Sequence, residues 1–215
     1  MSSLRIDVYN KLKNSIIFGE LSPGEKLSES DLSKKLKSSR TPIREAFRQL
    51  QMEGYINVVP NKGACVAKLP TEQVEEIYNV IALLEGYAGE LATARISNID
   101  IKELQRLHKK MDTYASQKKY QDYTNANTEF HNLIIRLSGN STLIKINAEL
   151  RMQVYRYRMI SITIPGYLET YIQDHEKIID AIRKKDAAGA RNLIREHVDN
   201  VTKILVNFLR HNPGL

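Results

Sequence analysis

The hydrophobic period of this chain changes at Gly54, and that change restricts the possible folds more than any other feature. Up to that point apolar residues recur at helical spacing. The run from Leu27 to Leu36 reads as a short amphipathic helix, with Ser28 capping its first turn and Asp31, three residues on, closing a capping box. Lys37-Ser38-Ser39-Arg40 is a polar turn. Thr41-Pro42 then restarts a helix, with a hydroxyl at the N-cap and a proline at the first helical position, where a missing N–H costs nothing. That helix runs to about Glu53. Ile43, Ala46, Phe47 and Leu50 share one face, which leaves Arg44 and Arg48 side by side on the opposite one. After Gly54 the period falls to about two. Tyr55 to Val59 and Ala64 to Ala67 are short β-rich runs joined by Pro60-Asn61-Lys62-Gly63. Helix, turn, helix and hairpin make a winged helix-turn-helix. A helix of this kind fits the major groove of DNA, guanidinium forks match guanine edges, and a glycine at a hairpin tip allows close approach to the nucleic-acid backbone.

Charge agrees with that reading. The formal net charge is +7, and residues 1–69 carry twelve Lys/Arg against seven Asp/Glu, so most of the excess lies in the front third. A basic module is what phosphate-backbone binding requires. Leu4, Val8, Leu12 and Ile16, four apart, mark a first helix ending near Phe18-Gly19 that packs behind the pair.

Pro23-Gly24-Glu25-Lys26-Leu27, Ser39 to Ala46, Leu50, Glu53-Gly54 and Gly63 resemble the DNA-binding domain of GntR-type bacterial transcription regulators. The resemblance implies that Arg40, Thr41, Arg44 and Arg48 stand at DNA-contacting positions and Gly63 at the wing tip. It also exposes a departure, because part of that family has an arginine early in the second helix where this chain has Ser30.

At 215 residues the chain is long enough for two modest domains, and Pro70 divides it into 1–69 and 70–215. No apolar run approaches eighteen residues, and Met1 to Arg5 lacks the apolar centre of a signal peptide, so a soluble cytoplasmic protein without membrane contact is expected. The single cysteine excludes an internal disulfide, and Cys65 reads as a small buried hydrophobe.

From Thr71 onward no strand is expected. Six helices are, at about Glu72 to Arg95, Ile101 to Ser116, Tyr120 to Leu137, Thr142 to Ile160, Tyr167 to Lys184, and Asp186 to Leu209. Val74, Ile77, Tyr78, Ile81, Leu84 and Tyr87 form the apolar face of the first, with Gly86 and Gly89 suited to close packing. Asp100 caps the second, with Glu103 reaching back. Apolar faces throughout imply an antiparallel all-α bundle, so the chain as a whole is mostly α.

Asn127 and His131 are four apart on one helix face, and His175 and His197 fall in the middle of the last two helices. Each histidine neighbours apolar core positions. Three inward imidazoles from three helices can converge on one cation, although by spacing alone a bundle histidine is more often a hydrogen-bonded core residue. Phe130-His131, Leu137 to Asn140, Asp174-His175, Ile178 to Ile182, Asp186-Ala187 and Glu196-His197 resemble the FCD effector domain of the FadR-type branch of GntR regulators. The resemblance implies a divalent metal held at Asn127, His131, His175 and His197. Two departures qualify it. The family's first ligand is usually aspartate, whereas Asn127 is neutral, which predicts looser metal binding or a stronger demand for an anionic effector; zinc or nickel suits the imidazoles. Many members also carry an arginine four residues before the glutamate of the first bundle helix, where this chain has Ile81. An effector carboxylate then needs another partner, and Arg151, Tyr155 and Arg158, sharing a face of the fourth helix, are the candidates, with a solvated basic face as the alternative. His108 and His211 are expected to face solvent.

The function expected from these residues is a transcription regulator, not an enzyme. It binds a palindromic operator as a homodimer, with its affinity modulated by a small carboxylate at a metal-lined cavity. The alternatives are a metal-dependent enzyme, or a metal-responsive regulator, using the same three histidines.

Overall fold

The computed structural model describes residues 3–17, 19–59 and 63–212. The chain forms two compact units, Met1–Pro70 and Thr71–Gly214. In the first, the elements are α1 (Ser3–Ile17), β1 (Lys26–Leu27), α2 (Glu29–Lys35), α3 (Arg40–Met52), β2 (Ile56–Val59) and β3 (Gly63–Val66).

Val8, Leu12 and Ile16 of α1 are buried, as are Ile43, Ala46, Phe47 and Leu50 of α3, and α1 packs on α3. The far end of that contact is polar. Glu53, just past α3, accepts from the Tyr9 hydroxyl at 2.7 Å, from Lys13 Nζ at 2.6 Å and from Gln49 Nε2 at 2.7 Å. Burial works against the charge on Glu53, but these donors outweigh it and hold its pKa below the usual value.

Three local expectations are corrected here. Leu27 is not helical: with Lys26 it forms a third strand, giving an antiparallel sheet of order β1-β3-β2 in which Leu27 pairs with Ala64 and Val58 pairs with the same residue from the other side. Ser28 does cap α2, accepting from the Asp31 N–H at 3.3 Å, and its hydroxyl also pairs with Ser30 at 2.8 Å. Thr41 is not an N-cap, because α3 begins one residue earlier behind Ser39, which makes no side-chain cap bond. Pro42 therefore lies third in the helix, still within the first turn, whose N–H groups have no intrahelical acceptor. Cys65 is half-buried rather than buried. The expected turn at Pro60, Asn61 and Lys62 and the helix end at Phe18 lie outside the described residues, as does the side chain of Leu4.

The second unit contains α4 (Thr71–Arg95), α5 (Asn98–Ser116), α6 (Tyr120–Leu137), α7 (Ser141–Gln153), α8 (Tyr155–Thr163), α9 (Leu168–Arg183) and α10 (Ala187–His211). Among the described residues these are seven helices where six were expected. The single helix drawn from Thr142 to Ile160 breaks at Val154, which ends α7 and begins α8 at φ −102° and ψ 10°. The start of α5 also differs: Ser97 is the N-cap and forms a reciprocal capping box with Asp100, while Glu103 pairs with Arg106. The most extensive helix packing is between α4 and α10. Gly86 and Gly89 permit it, since a Cβ on Gly89 would collide with Cδ1 of Ile194 and one on Gly86 would lie 3.0 Å from the Arg191 carbonyl. Leu104, Met111, Tyr123, Phe130, Ile134, Ile178, Ile182 and Ile194 belong to one buried cluster. Tyr87, expected on the inner face of α4, is 47% exposed, together with Val80 and Leu83. No helix among the described residues is long and apolar enough to cross a membrane.

Candidate functional site

In the first unit α3 presents an exposed row of arginines. Arg40, Thr41, Arg44 and Arg48 are all exposed, opposite the buried face that runs from Ile43 to Leu50. Gly63, at the start of β3, is exposed and has a φ of +87°, a conformation that glycine adopts without strain. Arg44 is held by its neighbour helix: its Nε donates to Glu29 Oε2 on α2 at 2.7 Å. Ser30 is half-buried beside Ser28. Guanidiniums on one open helix face, with a glycine at the start of the wing strand, can meet base edges and phosphates together.

In the second unit α6 carries Asn127 and His131, α9 carries His175 and α10 carries His197, and all four are buried. The three histidines converge, each offering one nitrogen within 4.8 Å of the others. His175 Nε2 lies 3.4 Å from His131 Nε2. Behind two of the rings stand carboxylates. Glu85 Oε2, on α4, is 3.0 Å from His131 Nδ1, and Asp174 Oδ2 is 3.4 Å from His197 Nδ1. Both contacts use Nδ1, and the Nε2 of His131 faces His175. Burial pushes the His131 pKa down to about 4 against the opposing pull of Glu85, and burial with the neighbouring imidazoles pushes His175 well below its usual value. Neutral imidazole is the form that ligates metals. The buried Oδ1 of Asn127 and Nδ1 of His175 have no hydrogen-bond partner.

Glu85 entered the sequence reading as a landmark without a role. Its signal was present, an acidic residue on the same face as Tyr78, Ile81, Ala82 and Ala88, and it is 2% exposed. It also binds Arg151, whose Nε is 2.6 Å from Glu85 Oε1. Burial opposes its charge, but Arg151 and His131 outweigh that and keep its pKa well below the ordinary carboxylate range. Carboxylates thus touch the outer side of two of the imidazoles, although Glu85 is also paired with Arg151 and Asp174 with Lys177.

The proposed basic face of a single fourth helix is not what the structure contains. Arg151 lies on α7 and is engaged by Glu85, whereas Arg158 lies on α8 and is buried, donating from Nη1 to Thr128 Oγ1 at 3.0 Å. Tyr155 accepts from Gln121 Nε2 at 3.3 Å. A cavity of about 370 Å³, counted out to its open mouth, is lined by Tyr78, Asn127, His131, Arg158, Tyr171 and His197 among others, including Arg151. Tyr155 does not line it. His211 is exposed as expected, but His108 is half-buried, with Nε2 3.0 Å from the Ile172 carbonyl.

Comparison with known proteins gives matches along nearly the whole chain. The family described as bacterial regulatory proteins, gntR family, matches residues 4–66, and the FCD domain matches residues 76–200. The chain is 29% identical to the HTH-type transcriptional regulator YdhC of Bacillus subtilis, with 95% of this chain and 92% of YdhC covered. It is 30% identical to the HTH-type transcriptional repressor GlaR of Escherichia coli, covering 92% of this chain and 94% of GlaR. Among solved structures it is similar to E. coli McbR/YncC, with a TM-score of 0.79 and 27% identity, over 97% of this chain and 99% of the other.

Proposed function

The chain belongs to the gntR family of bacterial transcription regulators, in the branch with an FCD domain, and from that membership we propose how it senses and reads its signals. It binds a palindromic operator as a homodimer, and a small carboxylate at a metal-lined cavity in the helical unit sets the operator affinity. The relatives are named as transcription regulators rather than enzymes.

The observation that carries the sensing half is the convergence of His131, His175 and His197, with the orphaned Oδ1 of Asn127 beside them. These donors fit a borderline divalent cation, zinc or nickel, because imidazole nitrogen dominates the set and carboxylates stand behind two of the rings. When bound, such a cation supplies a Lewis-acidic position that attracts a carboxylate. His131 and His197 are oriented for this by their carboxylate contacts, and the buried position of His175 keeps water from competing for its ring.

The reading half rests on Arg40, Arg44 and Arg48, exposed together on α3. One such module reads few base pairs, whereas two related by a two-fold axis read both halves of a palindrome, with spacing fixed by the dimer. Val80, Leu83 and Tyr87, exposed at spacings of three and four on α4, support a second copy docking on that helix. The acid acts by population shift: it changes operator affinity only to the extent that it binds two arrangements of the dimer unequally.

The test is metal analysis of gently purified protein beside a His131→Ala, His175→Ala double variant, followed by operator titration with and without a chelator. About one equivalent of zinc or nickel per chain, lost in the double variant, supports the cavity. Absence of metal in the wild type, before and after titration with zinc, removes it from the mechanism. Operator affinity that follows metal alone, with organic acids inert, makes the metal the signal.

A further inference from the structure

Arg158 is a buried guanidinium without a carboxylate partner among the described residues. It is 7% exposed; Nη1 donates to Thr128, and Nη2 is buried with no hydrogen-bond partner at all. Arg151, seven residues earlier, shows what a satisfied arginine looks like here, with Nε and Nη2 both 2.6 Å from Glu85 Oε1. A charge held out of water without a counter-ion is strongly unfavourable, and burial with Arg151 close by pushes the pKa of Arg158 down to about 10. Glu85, Tyr78 and the bond to Thr128 offset part of that cost, but among the described residues no carboxylate lies within ion-pair distance of Arg158.

Arg158 faces the cavity that contains His131 and His197. Tyr78 and Tyr171 line the same cavity, 1% and 3% exposed, and neither phenol oxygen has a partner. Burial raises both pKa values, so the hydroxyls are protonated and free to donate. Ile162, Val198 and Val201 complete the wall. The cavity therefore offers one unpaired guanidinium nitrogen and two O–H donors beside apolar side chains.

Resting on the reading of this cavity as the effector site, we propose that Arg158 is the anion receptor for a short-chain dicarboxylate or hydroxycarboxylate. One carboxylate meets Nη2 of Arg158. Tyr78 and Tyr171 donate to its remaining oxygens, the short carbon chain lies on Ile162 and Val198, and the second oxygen function faces the imidazoles. Arg151 is excluded as the receptor because Glu85 already occupies it, and Tyr155 because it lies outside the lining.

The test is a thermal-shift series on the full chain at constant ionic strength, with succinate, glutarate, malate, butyrate, butyramide and chloride. Wild type, Arg158→Met, Arg158→Lys and the His131→Ala, His175→Ala double variant are compared, with metal content measured on the same samples. At least one of succinate, glutarate and malate should raise the wild-type Tm by roughly 5 °C at saturation, with butyramide and chloride inert. Arg158→Met should lose that rise, keep the wild-type metal content and, without acid, melt no lower than wild type, because the charge removed had no counter-ion. Arg158→Lys, which keeps the charge but not the fork, should keep part of the rise and covers the case in which Arg158→Met fails to fold. An undiminished rise in Arg158→Met, or a wild type that none of the acids stabilises, overturns the proposal. A rise that survives Arg158→Met but disappears in the double variant would remove Arg158 and leave the metal-lined effector site standing. A rise lost in Arg158→Met, in a wild type that holds no metal, would keep Arg158 and remove the metal.

Discussion

Oε2 of Glu85 lies 3.0 Å from Nδ1 of His131, and Oε1 of the same carboxylate is engaged by Arg151. One buried anion therefore lies against a candidate metal-binding ring and pairs with a guanidinium on a different helix. Glu85→Gln should lower metal affinity by roughly 10–100-fold, read by chelator competition. It should also cost about 3 kcal/mol of stability in denaturant unfolding, because Arg151 is left without its counter-ion. Unchanged metal affinity would mean that Glu85 serves Arg151 alone.

Asn127 supplies a neutral amide where a carboxylate would neutralise a cation better. Asn127→Asp is expected to tighten zinc by roughly ten-fold in the same competition assay, a change of about 1.4 kcal/mol. Equal affinity in the two proteins would take Asn127 out of the ligand set and leave the three histidines to act alone.

Arg44 is shared between two demands, since in the free protein Glu29 holds its Nε at 2.7 Å. Arg44→Ala should weaken operator binding by about 1–3 kcal/mol and relax discrimination at one base pair. Glu29→Gln frees the guanidinium and should strengthen binding to non-operator DNA more than to operator. An operator preference that survives Arg44→Ala intact would assign base readout to Arg40 or Arg48.

The cluster around Glu53 gives the first unit a defined pH dependence. Its carboxyl is held below the ordinary 4.5, so the stability it contributes is complete above that value and is lost as pH falls through the lower, folded-state pKa. Lys13, the donor at 2.6 Å, is shifted upward in turn, so its share is complete below the ordinary 10.5 and is lost only in strong alkali. Acid titration followed by circular dichroism should therefore show Glu53→Gln less sensitive than wild type below about pH 4.5. Parallel curves for the two proteins would exclude this contribution.

The parts of the fold that were readable from the residues are those whose signals are local. Ile43 to Leu50 fix a helix face by spacing, Gly54 punctuates the change of period, and Asp186 and Gly139 mark helix ends. The strand of Lys26 and Leu27 was not readable, because two residues carry no alternation and the pairing partner, β3, lies some forty positions away. Nor was the break at Val154, a buried β-branched residue with no glycine or proline beside it. At the candidate site, periodicity placed His131, His175 and His197 on inner faces but not at a common height along the bundle, which depends on how α6, α9 and α10 slide past one another. Their convergence was anticipated through the family resemblance. Glu85 and the orphaned Arg158 depend on contacts between helices remote in sequence, and no spacing rule reaches those.

The break at Val154 separates two arginines that a continuous helix would have locked about 10 Å apart on nearly the same face. The joint is still hydrogen-bonded, from the Val154 N–H to the Leu150 carbonyl and from the Arg158 N–H to the Val154 carbonyl, so it turns without coming apart. Arg151 belongs to the cradle around His131, and Arg158 to the shorter α8 beyond the joint. If the cavity is the effector site, a substitution in α8 would alter the wall around Arg158 while leaving the imidazoles and Glu85, which stand on other helices, in register.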